Sequence, residues 1–116
     1  MIMEKQTVGA PMRGRPRGGI DLNQYERKIG QAAIRTFGRI PNIIKAIEEL
    51  SELQQALCKH IVSENDAMTV ASVHEEMADV EIMLEQLRII LGNHARVDAW
   101  QHEKLARLAV RLERAK

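Results

Sequence analysis

From Asp21 to the C-terminus, apolar side chains recur at steps of three and four residues and never alternate over the length a strand needs. A chain patterned in this way can hide its apolar surface only by laying helices against one another. Asp21 followed by Gln24 resembles a capping box and predicts a helix to about Thr36, with Gly38 as its stop. Gly30 weakens that helix by roughly 1 kcal/mol relative to alanine. A second helix is expected from near Pro41 to about Ile61, with Ile43, Ile47, Leu50, Leu53, Leu57 and Ile61 as its buried stripe. Residues 63–68 read as a polar connection. Ser72 and Glu75 repeat the capping-box pattern and predict a third helix, striped by Val73, Met77, Val80, Leu84, Leu87 and Leu91 and ended by Gly92. The fourth is expected over about Ala95 to Ala115, with Trp100, Leu105, Leu108 and Leu112 on its apolar side. Four helices with short links predict an all-α four-helix bundle.

At 116 residues the chain is one domain, and 45% apolar with 28% charged residues is a soluble globular composition. Aromatic residues are only 3%, so the core must come from Leu, Ile, Ala and Met. A chain this short buries a modest core alone, and self-association is a common remedy. The single cysteine, Cys58, excludes an internal disulfide and a multi-cysteine zinc site, and points to a reducing compartment, the cytoplasm. No apolar run is long enough to span a bilayer and no secretory leader is visible, so a membrane role is not expected.

Residues 1–19 differ from the rest. They hold four of the seven glycines, two of the three prolines and three closely spaced arginines, and they read as a flexible basic tail ahead of a domain at 20–116. Lys5, Arg13, Arg15 and Arg17 against Glu4 give the tail +3, so a chain of +1 overall leaves −2 on the domain. A nucleic-acid partner is therefore expected only through the tail, if at all. The other reading of the tail is a solvated leader.

The carboxylates carry the chemistry. Glu49 with Glu52, and Glu76 with Asp79, are pairs three residues apart, so each pair shares one helix face about 60° wide. No Lys or Arg follows either pair by one turn to offset the repulsion. Leu50, Leu53, Met77 and Val80 flank the pairs, which places them beside the apolar stripes. If the two helices pack as antiparallel neighbours, four carboxylates converge across the groove, and hard oxygen donors of that kind suit Mg²⁺ or Mn²⁺. The histidines lack the Glu-x-x-His spacing of a bundle di-iron site; none of His60, His74, His94 and His102 has an acid three residues before it. They read as surface or satisfied polar residues.

The motif E-E-x-x-E (Glu48, Glu49, Glu52) followed by E-x-x-D (Glu76, Asp79), in the wording AIEELSEL, EEMADVEIMLEQL and KLARLAVRL, resembles the MazG-like all-α nucleoside triphosphate pyrophosphohydrolases over about residues 22–115. The resemblance implies a four-helix domain of the all-α NTP pyrophosphatase type and hydrolysis of a nucleoside or deoxynucleoside triphosphate to the monophosphate and pyrophosphate. It implies Mg²⁺ as the working ion, a homodimer or homotetramer, and Glu49, Glu52, Glu76 and Asp79 as metal ligands. Glu48 is the less certain member of the motif. Glu49 is expected to orient or deprotonate the attacking water, with Glu52 as the alternative. Lys104 and Arg107, on a cationic stripe continued by Arg111 and Arg114, are the implied phosphate contacts. Asn42 stands where the family often carries Gln before the acidic motif, which leaves its base contact open. Phe37 and Trp100 read either as core residues or as stacking partners for a base.

Two other functions compete. One is a catalytically silent helical regulator of the same fold that binds a nucleotide or a protein; the presence of all four carboxylates favours the enzyme. The other is a small nucleic-acid-binding dimer working through its tail. No G-x-x-x-x-G-K-[ST] loop is present, so P-loop phosphate handling is excluded.

Overall fold

The computed structural model describes residues 22–64 and 66–116. Among these, every regular element is helical: α1 Leu22–Phe37, α2 Arg39–Val62, α3 Ala67–Leu91 and α4 His94–Arg114. The all-α expectation holds. Asp21, the expected first cap, and the basic tail lie outside the described residues.

Only Gly38 separates α1 from α2. Its φ of 98° lies in a region that L side chains rarely adopt, which explains a glycine at a junction this tight. Asn42 staples the junction by donating from Nδ2 to the carbonyls of Gly38 at 2.8 Å and Ala33 at 3.2 Å. α2 begins two residues before the expected Pro41, which sits third in the helix, where its missing N–H leaves no bond unmade.

The start of α3 differs more. The helix opens at Ala67, and its cap is Asp66, whose side chain accepts from the Met68 N–H at 3.3 Å. Ser72 is inside the helix. The expected cap matched a sequence pattern that also occurs in helix interiors, and the short SENDAM stretch already supplied a better acceptor. The turn is tied by Thr69 Oγ1, which lies 2.8 Å from His60 Nδ1 and 2.9 Å from Ser63 Oγ, and donates to the Asp66 carbonyl at 2.8 Å.

With so short a turn, α3 runs back along α2, and this is the most extensive helix pairing in the chain. The α2 face turned inward is Asn42, Ala46, Glu49 and Ala56, with Leu53 and His60 half-buried between them. Facing it on α3 are Val73, Val80, Met83 and Gln86, with Glu76 and Leu87 half-buried. Both sets step by three and four residues, the spacing of a coiled-coil seam. The expected α2 stripe is therefore rotated: Ile47, Leu50, Leu57 and Ile61 remain exposed, as do Met77, Leu84 and Leu91 of α3. Small residues at the seam let two backbones approach, and the large aliphatic side chains are left on the outer flanks.

α1 lies across both helices, closer to α3. Gly30 is buried there: a Cβ at this position would stand 3.1 Å from Ile89 Cδ1 and 3.3 Å from Gln86 Cγ. The glycine that costs α1 propensity thus permits its approach to α3. α4 touches only α3, near its own start. There, Arg88 pairs with Asp98 at 2.8 Å, and His94 Nε2 lies 3.1 Å from Glu85 Oε2. Asn93, with φ 64°, caps α4 by accepting from the Arg96 N–H at 3.1 Å. The rest of α4 is exposed, Leu105, Leu108 and Leu112 included. Within one chain the four helices do not close into a bundle; α1–α3 pack together and α4 projects from them.

Replacing Gly30 by valine overfills the α1–α3 contact. Gly30→Val should destabilise the chain by about 1–3 kcal/mol, read as a lower melting temperature by circular dichroism. An unchanged melting temperature would show that α1 does not need this close approach.

Candidate metal centre

Two carboxylates occupy seam positions that in an ordinary helix pair belong to apolar residues. Glu49 is only 7% exposed. Its Oε2 lies 3.1 Å from Lys45 Nζ, one turn earlier on α2, while Oε1 is buried without a hydrogen-bond partner among the described residues. Glu76, across the seam on α3, also has a buried Oε1 without a partner among the described residues. An unsatisfied buried carboxylate oxygen costs of order 1–3 kcal/mol or more, so two on facing helices need a counterpart.

Asp79 joins them from the next turn of α3. One carboxylate oxygen each from Glu49, Glu76 and Asp79 lies within 4.8 Å of the others. Burial pushes the carboxyl group of Glu76 above its ordinary pKa, with the neighbouring charges of Glu52, Asp79, Glu49 and Glu75 adding to the effect. Burial does the same to Asp79, reinforced by Glu49, Glu75 and Glu52 and opposed by Lys45. Lys45 is held above its ordinary value by its hydrogen bond to Glu49. Both carboxyl groups are thus short of positive charge.

The donor set fits a hard divalent cation. It offers carboxylate oxygens alone, with no sulfur or imidazole, and two of its three residues each carry a buried oxygen without a partner among the described residues. Glu49, Glu76 and Asp79 converge as expected. Glu52 stands just outside this group: it is exposed and lines the groove beside Glu76. Glu48 is exposed, 3.9 Å from Lys45.

The other expected site residues lie elsewhere in the chain. Lys104 sits over the Trp100 ring at 5.7 Å, and Arg107 donates to Glu103 at 2.7 Å. α4 meets α3 near Glu85 and Arg88, and the nine residues from Asp79 to Arg88 span about 13 Å of helix, so the cationic stripe is separated from the acidic cluster of its own chain. Asn42 is buried, and its amide nitrogen is committed to the α1–α2 junction. Phe37 and Trp100 are exposed, at 66% and 47%. The cation that answers the first acidic pair comes before it rather than after: Lys45 precedes Glu49 by four residues, a spacing visible in the sequence.

No family model, curated protein or solved structure matches this chain. No described helix is long and apolar enough to cross a membrane.

Because the folded-state pKa values of Glu76 and Asp79 are raised, the folded chain binds protons there more tightly than the unfolded one. These two groups therefore favour folding least once pH has risen past their raised values, and below those values a cation competes with protons for them. Mn²⁺ at millimolar concentration should raise the melting temperature, and the increase should be larger at about pH 7.5 than at about pH 5. A shift independent of pH, or none, would contradict a carboxylate metal centre.

Proposed function

We propose that this chain is a Mg²⁺-dependent nucleoside or deoxynucleoside triphosphate pyrophosphohydrolase, releasing the monophosphate and pyrophosphate. The observation that carries the reading is the convergence of one carboxylate oxygen each from Glu49, Glu76 and Asp79 to within 4.8 Å of one another, at a seam where Oε1 of Glu49 is buried without a partner among the described residues. The paired acidic motif, through its resemblance to the MazG-like enzymes, supplies the reaction.

Glu49, Glu76 and Asp79 would hold the ion, and Glu52 would complete the set or face the reaction. Mg²⁺, or Mn²⁺ in its place, supplies neutralisation of the polyphosphate charge and polarisation at phosphorus. The chain's own part is orientation. Glu49 is fixed by burial and by Lys45, so it holds position. Glu52 is exposed on the groove, which favours it over Glu49 as the carboxylate that orients the attacking water and takes its proton. Water oxygen bonds to the α-phosphorus, the bond from that phosphorus to the bridging oxygen breaks, and pyrophosphate leaves with the electron pair.

We further propose a homodimer or homotetramer in the cytoplasm. Its support is the surface of the single chain: among the described residues only Ala46, Ala56, Val73, Val80 and Met83 are buried apolar residues, while Ile47, Leu57, Ile61, Leu105 and Leu112 face outward. Such faces on α2 and α4 are what a second copy would cover. Light scattering should return twice or four times the 13.2 kDa chain mass. A monomer at micromolar concentration would refute the assembly.

With Mg²⁺, the purified protein should release pyrophosphate from at least one of the common ribo- and deoxyribonucleoside triphosphates, and EDTA should stop it. Glu49→Gln and Asp79→Asn should each lower turnover by about two orders of magnitude or more with helicity retained. Metal binding without product from any of these triphosphates would favour the silent regulator.

A further inference from the structure

Beyond the acidic cluster, the α2–α3 groove continues toward the connecting turn as a cavity of about 250 Å³. Glu52 and Glu76 line one end, and Lys59, Ser72 and Thr69 line the other. That volume falls below the roughly 300–1,000 Å³ of pockets that enclose a whole drug-sized ligand, so the cavity suits part of a nucleotide. Its chemistry says which part. Lys59 forms no ion pair among the described residues, unlike Lys45, which is held by Glu49. Ser72 makes no hydrogen bond there, whereas the Thr69 hydroxyl is committed to the turn. A free ammonium and a free hydroxyl beside metal-binding carboxylates form a receptor for phosphate oxygens.

Direction supports the same reading. Lys59 follows Glu52 by seven residues, two helical turns and about 10 Å along α2, on the same face. A side chain on a helix leans toward the N-terminus, which for Lys59 is toward Glu52 and the cluster. The cations of α4 do not share this groove: Lys104 is over Trp100, and Arg107 is bound to Glu103.

We propose that Lys59, assisted by the Ser72 hydroxyl, binds the two terminal phosphates of the substrate and holds pyrophosphate as it departs. This rests on the metal centre proposed above. The phosphate chain would lie along the groove, with the end nearer the nucleoside beside Glu49, Glu76 and Asp79, which would hold the ion, and its far end at Lys59. The nucleoside would project beyond the cavity.

The test uses inorganic pyrophosphate with Mn²⁺ on the full chain, read by calorimetry, alongside the melting shift caused by Mn²⁺ alone. Lys59→Ala should weaken pyrophosphate binding about tenfold or more while keeping the wild-type Mn²⁺ shift, and Lys59→Arg should restore most of the affinity. Ser72→Ala should give a smaller loss. Wild-type pyrophosphate affinity in Lys59→Ala, with the Mn²⁺ shift intact, overturns the role of Lys59 and leaves the metal centre standing. Absence of the Mn²⁺ shift in the unmodified protein overturns the metal centre, and this proposal with it.

Discussion

The site depends on a carboxylate buried at a position built for an apolar side chain. Helices α2 and α3 meet along residues stepping by three and four, and Glu49 occupies that seam between Ala46 and Ala56. Burying a charge there is costly unless something pairs with it. Lys45 answers one oxygen, and the carboxylate as a whole comes together with those of Glu76 and Asp79. A helix pair selected only for stability would place an alanine or a leucine at such a position. That cost is what the proposed cation would offset.

Close packing and the acidic cluster have one structural origin. The inward face of α2 carries small residues, and the inward face of α3 carries valines, so carboxylates on neighbouring turns come within reach of one another. The same choice turns the long aliphatic side chains outward. The chain's interior and its exposed apolar flanks are thus two sides of one packing decision, which links the inner groove to the assembly proposed for the outer surface.

Much of this was legible in the residues. Helix number, type and most limits follow from periodicity and from Gly38 and Gly92, the start of α3 excepted, and the two acidic pairs follow from their spacing. Which face of α2 turns inward was not legible. Hydrophobicity alone favoured Ile47, Leu50, Leu57 and Ile61, because it measures what gains from burial and not which side of the helix the turn at 63–66 presents to α3. The position of α4 was hidden for a related reason. Its own apolar pattern is clear, but among the described helices only α3 touches it, so its apolar face has no counterpart that periodicity could have pointed to. Gly30 read as a weakness because its benefit lies in Gln86 and Ile89, far away in sequence.

The Lys45–Glu49 pair has a consequence for the life of the molecule before any ion arrives. An ammonium group one turn away serves as a placeholder, so the newly made chain need not wait for a metal to hold Glu49 in its buried position. Assembly of the helices and uptake of the proposed ion would then be separable events, unlike in small zinc domains, where the polypeptide is shapeless until the metal is bound. With the proposed cation, such a chain would be folded before it is loaded, and its readiness would follow the local supply of free cation.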